Sequence, residues 1–442
     1  MTTQRFPRLA AAYALPQAAL SIPLIPVSVL LPSFYAQDLG LGFVLTGAVL
    51  LGARLIDIVT DPLIGTLSDH TTSPLGRRKP YMIAGGVLAV ISLFALGRPV
   101  DASDALFLFV WSFLLYLGWT MTAIPYQTLA AELTPDYHRR TRLTSWRELS
   151  GLVGILVAVS VPFAVARFAG PPDNPLYVVA LTTAAAGAAT FLPFMILVRE
   201  PPPRATERHF DGANPFGSAS PFRGNPLFLR LVSAWFVNGF ANGLPAALLP
   251  VYVDTVLGLG ETERYRFLFL YVIASIGCLP LWMRAAGRFG KDRAWIGAMT
   301  LASVSFLPAV FLGTGDGTWF AVICLVTGAC LGADLALPPA MQADVADFDR
   351  LRSGRDRTAQ LFGWWSLAAK LATALAIGLG FALIGTTSEA GAPSRLPVAL
   401  LYAGLPVALK CSAIALMRGY RLNDRRTRAV QRRLARSDAR GH

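Results

Sequence analysis

The stretch "SPLGRRKPYMIAGG", Ser73–Gly86, closes one long apolar run, turns through a glycine and a basic cluster, and opens the next. "AGRFGKDRAWIGAM", Ala286–Met299, does the same in the other half of the chain. Outward from these two turns, windows of the roughly 20 apolar residues that a bilayer crossing needs recur from end to end. They fall near 9–35, 42–68, 80–98, 105–132, 145–168, 175–197, 227–254, 265–283, 294–313, 317–343, 359–384 and 397–417. With 54% hydrophobic and 15% charged residues over 442 positions, and a mean hydropathy of +0.51, the composition excludes a soluble domain. The expectation is an all-α membrane protein of twelve transmembrane helices. The first window follows "MTTQRFP", runs far past a signal-peptide core and lacks a small-residue cleavage site, so it reads as a retained helix.

The two halves repeat. "DYHRRTRLTSWRE" after the fourth window pairs with "LRSGRDRTAQLFGWW" after the tenth, as the opening stretches pair after the second and eighth. Between the halves, "REPPPRATERHFDGANPFGSASPFRGNP", Arg199–Pro226, is polar, rich in Pro, Gly and Ser, and without helical period, which marks a linker. The expected organisation is an N-terminal six-helix bundle (1–198), a cytoplasmic linker (199–226), a C-terminal six-helix bundle (227–417) and a basic cytoplasmic tail (418–442). Two pseudo-symmetric bundles around a midplane site is how alternating-access transporters are built. The basic clusters "GRRKP", "HRRTR", "RAAGRFGKDR" and "RLRSGRDR" all follow even-numbered windows, whereas "GRPVDASDA" and "GTGDGTW" lean acidic or neutral. By the positive-inside rule both termini lie in the cytoplasm, with a bacterial inner membrane as the expected location. The net charge of +13 is mostly this asymmetry, so no nucleic-acid partner is expected. The arginine-dense tail reads as a solvated topology signal, contact with anionic lipid being the alternative.

Several function classes drop out. No G-x-x-x-x-G-K-[ST] phosphate loop is present, so ATP drives nothing here. His70, His138, His209 and His442 fall in loops or the tail, and Cys278, Cys324, Cys330 and Cys411 sit singly in apolar spans as packing residues. No nucleophile motif stands out. The chain reads as no enzyme, with no cofactor other than a coupling ion and no metal beyond Na⁺.

"ARLIDIVTDPLIG", Ala53–Gly65, carries the chemistry. Asp57 and Asp61 stand at i and i+4, on one helix face roughly 6 Å apart. An ionised acid in hydrocarbon costs about 2.5–3.5 kcal/mol on insertion scales, so both must face the bundle interior or water. Two close like charges also raise one another's pKa, and a bound cation or a retained proton resolves the conflict. Pro62 has no N–H to donate and leaves the Ile58 carbonyl free as an oxygen ligand. The structural alternative is a brace in which Arg54, at i−3, neutralises Asp57, but this leaves Asp61 unexplained.

Other polar residues interrupt apolar helices. Tyr13, Gln17 and Ser21 form a stripe in the first window, and Asn238 and Asn242 a matching one in the seventh. They read equally as cavity lining and as interhelical glue worth about 0.6 kcal/mol per contact. Asp334, in mid-span, pairs with Lys370 or Arg147 from another helix or meets a substrate. Trp364 and Trp365 read as packing or cavity wall, and Lys410 as snorkelling to the cytoplasm.

"ARLIDIVTDPLIGTLSDHTTSPLGRRKP", "IPYQTLAAELTPDYHRRTRLTSWRE" and "LPPAMQADVADFDRLRSGRDRTAQLFGWWSLAAK" together resemble the signature regions of the glycoside-pentoside-hexuronide:cation symporters, the melibiose-permease branch of the major facilitator superfamily. The resemblance covers both halves. It is concentrated in the paired Asp-x-x-x-Asp-Pro and in "ADVADFD" followed by a lysine in the eleventh window. It implies the major facilitator fold, with Asp57 and Asp61 as cation-site carboxylates and Thr60 and Thr120 lending side-chain oxygens. It implies further that Arg147 and Lys370 lie near the substrate and cation sites and that Arg54 is the signature arginine. The chain also departs from the pattern. Sugar carriers resembling melibiose permease grip the sugar with acids on helices one and four, where Ser21 and Ala123 stand here. Gln127 replaces a stacking tryptophan, while Trp119 occupies a place where an aromatic is expected. Carbohydrate sites combine carboxylates with stacked rings, so galactoside transport is in doubt. A different glycoside, a sugar acid held by Arg147 and Lys370, and an amphiphile as in lysolipid-carrying relatives stay open.

A second constellation lies at the cytoplasmic ends. Asp69, Arg77, Arg78, Glu132, Arg142, Asp344, Asp347 and Arg357 are placed for ion pairs that hold an inner gate, against ordinary surface pairing. Asp69 and Glu132 favour gating because both recur in the family signature. The function expected is cation-coupled symport of a glycoside, sugar acid or related small solute by alternating access. A lysolipid carrier is the runner-up, and a receptor or scaffold on a transporter fold comes after it. Two carboxylates plus two hydroxyls place Na⁺ ahead of H⁺ as coupling ion. The partners expected are a small-molecule substrate and membrane lipid, for a monomer.

Overall fold

The computed structural model describes residues 6–71, 73–99, 104–133, 137–168, 174–200, 225–353, 358–389 and 392–420, together with Leu422, Thr427, Ala429 and Val430. Among the described residues, twelve helices are long and apolar enough to cross a membrane. They are α1 (Phe6–Asp38), α2 (Phe43–His70), α3 (Lys79–Gly97), α4 (Ala105–Leu133), α5 (Tyr137–Phe168), α6 (Pro175–Leu197), α7 (Pro226–Leu257), α8 (Glu261–Phe289), α9 (Lys291–Val310), α10 (Gly317–Ser353), α11 (Thr358–Thr387) and α12 (Arg395–Met417). Each coincides with one apolar window of the sequence. A two-residue bridge, β1 (Ser388–Glu389) to β2 (Ala392–Pro393), joins α11 to α12. The linker and the basic tail lie almost entirely outside the described residues.

Local chemistry sets the helix ends. Asn174 and Asn225 cap α6 and α7 by accepting the backbone N–H of Tyr177 and Phe228, each with proline at the first helical position. Gly76 and Gly290, at φ 105° and 95°, turn the chain into α3 and α9, a conformation that a side chain would strain. At its far end α1 widens into a π-helical turn, Phe34–Asp38, and α7 does likewise over Val253–Leu257. At these turns Tyr35 donates to Leu96 O of α3 (3.1 Å) and Tyr252 to Ala309 O of α9 (2.6 Å).

The helices gather into two compact units. The first comprises Met1–His209 with Gly260–Phe269 of α8 and Ile377–Gly391, largely the end of α11. The second comprises Phe210–Leu259, Leu270–Ala376 and Ala392–His442. Lipid tails are as apolar as leucine, so helices associate through close approach rather than through a hydrophobic force. Between α3 and α4 of the first unit, Cβ atoms added at Gly85 and Gly118 would lie 2.6 and 2.7 Å from the carbonyl oxygen of the facing glycine. In each unit the first, third, fourth and sixth helices meet over a buried cluster: Tyr13, Met82, Tyr126 and Phe194 in one; Leu231, Trp295, Leu337 and Ala413 in the other.

Candidate functional site

In the first unit α2 and α4 run side by side, which brings Asp57 and Asp61 to Thr120. The Thr120 hydroxyl lies 3.0 Å from Asp57 Oδ1 and 2.9 Å from Asp61 Oδ1. Asp57 is 1% exposed and turns its other oxygen to Arg54 at 3.6 Å, while the guanidinium of Arg54 stacks 4.3 Å from the centroid of Tyr116. The brace predicted for Arg54 and the carboxylate pair thus coexist. Thr60 donates to Asp57 O within its own helix at 2.8 Å, which uses its proton and leaves its oxygen as an acceptor. A hydroxyl has one proton and can donate to one carboxylate at a time. The Thr120 hydroxyl bridges the two carboxylates across α2 and α4.

Elsewhere in the first unit, Tyr13 and Tyr126 are both fully buried and stack at 4.9 Å. Each hydroxyl donates to the other residue's backbone carbonyl, at 3.1 and 2.6 Å. Tyr13 therefore joins α1 to α4. Gln17 donates to Ser21 at 3.3 Å, and Ser21 is 2% exposed. Arg147 on α5 lies beside the Tyr13 hydroxyl and holds the exposed Glu148 at 2.5 Å. Trp119 is half-buried and Gln127 exposed.

The second unit gathers Asn238 and Asn242 of α7, Trp295 of α9, Asp334 of α10 and Lys410 of α12. Trp295 Nε1 donates to Asp334 Oδ1 (2.6 Å) and Asn242 Nδ2 to Asp334 Oδ2 (2.8 Å). Lys410 Nζ donates to Asn238 Oδ1 (2.8 Å) and stands 3.8 Å from Asp334. Two expectations change here. The ion-pair partner of Asp334 is Lys410 rather than Lys370 or Arg147, and Lys410 is 8% exposed rather than snorkelled, because an internal carboxylate compensates it. The signal was present in the sequence as two opposite charges, each alone within an apolar span of the same half. Trp365 stacks on Trp235 at 4.6 Å, while Trp364 and Lys370 are half-buried.

The residues singled out for gating divide. The side chains of Asp69 and Glu132, and the whole of Arg357, lie outside the described residues. Asp344 pairs with Lys291 at 2.6 Å, Asp347 is half-buried, and Arg142 lies 5.8 Å over Phe6. Sequence reasoning missed Glu200, whose carboxylate accepts the backbone N–H groups of Arg77, Arg78 and Lys79 at 2.8–3.2 Å. The start of α3 thus receives an anion where its orphan donors point.

Comparison with known proteins agrees with this architecture. The family model described as MFS/sugar transport protein matches residues 12–424. The candidate glycoside/cation symporter YagG of Escherichia coli (strain K12) is 23% identical, over 92% of this chain and 90% of that one. The glucuronide carrier protein homolog of the same organism is 20% identical, over 95% and 93%. Among solved structures, a point mutant of the nucleoside transporter NupG superposes with a TM-score of 0.69 at 14% identity, covering 92% of this chain and 99% of that one. The lysolipid alternative finds no support in these relatives. The chain is an integral membrane protein of the major facilitator fold, a transporter rather than an enzyme, and it belongs to the MFS sugar-transport family of glycoside-pentoside-hexuronide:cation symporters.

Proposed function

We propose that the protein carries a glycoside or sugar acid together with a monovalent cation bound at Asp57 and Asp61, by alternating access of its two bundles. The observation that carries this reading is the single Thr120 hydroxyl within bonding distance of both carboxylates. Sodium is the preferred ion. Asp57, Asp61, Thr120, Thr60 and the carbonyl left free by Pro62 are hard oxygens on adjoining helices, suited to a hard cation. A proton on one acid is the second reading, supported by the same contact. Names among the relatives, a glycoside/cation symporter and a glucuronide carrier homolog, point to a sugar or sugar-acid substrate. Arg147, Lys370, Trp119, Gln127 and Trp364 supply the cationic, aromatic and amide groups that such a solute would use. The gating pairs, both termini on the cytoplasmic side of a bacterial inner membrane, the linker between two six-helix bundles and a monomeric state belong to the same proposal.

The test is uptake by proteoliposomes of methyl β-D-glucoside, methyl β-D-xyloside and methyl β-D-glucuronide. Sodium is replaced by choline at fixed pH, and a pH gradient is applied without sodium, in wild type, Asp57→Asn and Asp61→Asn. Sodium coupling gives Na⁺ stimulation that both variants lose. Proton coupling gives a gradient response that at least one loses. Full cation-coupled accumulation in both variants would reduce the acids to a brace for Arg54.

A further inference from the structure

The first unit sets two rows of side chains face to face. On α2, Arg54, Asp57 and Asp61 stand at i, i+3 and i+7, and on α4 Tyr116 and Thr120 stand at i and i+4, so each row shares one helix face. Thr120 meets the two acids, and one turn back along α4 the ring of Tyr116 meets Arg54, whose guanidinium carbon lies 4.3 Å from the ring centroid. The same guanidinium stands 3.6 Å from Asp57 Oδ2. That is an ion pair, but it is longer than the roughly 2.7–2.9 Å of a charge-assisted hydrogen bond. The Arg54 side chain is 24% exposed and has room to move, whereas Tyr116 is 7% exposed and fixed. An arginine this close to two carboxylates gains most by closing on them. Here it rests on an aromatic face instead.

We propose that Tyr116 is a positioning residue of the cation site: its ring face holds Arg54 within ion-pair distance but off the Asp57 oxygens, which leaves those oxygens to the transported Na⁺. The inference rests on the cation reading above and adds how the affinity of that site is set. Arg54 is a positive charge tethered beside the acids, a built-in competitor for the oxygens that sodium needs. The ring quadrupole attracts the guanidinium, and removal of the ring from water strengthens that attraction. The stack therefore opposes closure of the ion pair. Arg54 gives the acids a countercharge without occupying them. Since the attraction belongs to the ring and not to the phenol hydroxyl, phenylalanine supplies it and leucine does not.

Protection of the full chain from thermal unfolding in detergent reads sodium binding without a substrate, with NaCl exchanged for choline chloride at constant ionic strength. Tyr116→Leu raises the Na⁺ concentration for half-maximal protection by about tenfold, the scale of the cation–π attraction given up. Tyr116→Phe keeps the wild-type midpoint. In an Arg54→Gln background, Tyr116→Leu leaves the midpoint of that background where it was, because Tyr116 acts through Arg54. An unmoved midpoint in Tyr116→Leu, or an equal rise with and without Arg54, overturns the proposal and reduces the ring to packing. Where Tyr116→Leu does not fold, the longer side chain of Tyr116→Met takes its place in the same comparison. If Na⁺ protects neither wild type nor Asp57→Asn, the sodium reading of the acids falls and this proposal falls with it. Protection of wild type with an unmoved midpoint in Tyr116→Leu overturns the proposal alone.

Discussion

The same four-helix junction is built twice in this chain from unlike materials. Where α1, α3, α4 and α6 meet, Tyr13 and Tyr126 satisfy one another through reciprocal hydroxyl-to-carbonyl bonds packed against Phe194, with Arg147 of α5 beside the Tyr13 hydroxyl. Where α7, α9, α10 and α12 meet, a lysine and an aspartate neutralise one another, with an indole and two amides arranged around them. The tyrosine junction closes on the backbone. An ionic junction must be complete to be tolerated in hydrocarbon, and completing it fixes side chains such as Asn242 in one orientation.

The contrast can be broken most forcefully at the charge pair. Asp334→Leu leaves Lys410 buried without its counter-ion and should cost about 3–5 kcal/mol, the usual scale for half a buried pair. Thermal unfolding in detergent measures it. Asp334→Leu/Lys410→Leu should recover most of the loss, and if the double variant is no better than the single, the pair is not what holds this junction. Trp295→Phe removes one charge-assisted bond, with an expected loss of about 1.5–3 kcal/mol by the same assay. The acids on α2 sharpen the comparison from outside both junctions. Asp57→Asn should diminish cation stimulation of uptake about 5–150-fold, a coupling energy of about 1–3 kcal/mol, while its unfolding temperature falls only slightly, because Arg54, which loses this carboxylate, is part-exposed and keeps its stack on Tyr116. A large drop in unfolding temperature would class Asp57 with Asp334 as a structural acid. Smallest is Tyr126→Phe, which deletes one hydroxyl bond in the tyrosine junction and should cost about 0.6 kcal/mol, with uptake unchanged.

The twelve spans and the Asp57–Asp61 face were legible in the sequence because both are local: apolar run length, and an i, i+4 spacing on one helix. Thr120 came from resemblance, since α2 and α4 meet only in three dimensions. The partner of Asp334 was misassigned for the same reason. Lys410 lies far away in sequence, and its position near a span end suggested snorkelling until an internal carboxylate was seen beside it. Glu200 fell inside the stretch read as a linker. Its use as an anion at the start of α3 depends on a loop more than a hundred residues earlier, turned by Gly76, where an added Cβ would lie 2.5 Å from the Glu200 carboxyl.

The widened ends of α1 and α7 bear on how the chain arose. Each carries a tyrosine that fastens it to the third helix of its own half, and each is followed by the same four letters, "LGLG", at Leu39–Gly42 and Leu257–Gly260. From tyrosine to "LGLG" the second copy is one residue longer, yet the π-helical turn is kept in both. Shared helix ends beside unlike junctions fit a chain built from two repeats of one six-helix plan. The two halves keep one turn and one tyrosine bond in common, while the tyrosine pair and the lysine–aspartate pair set their junctions apart.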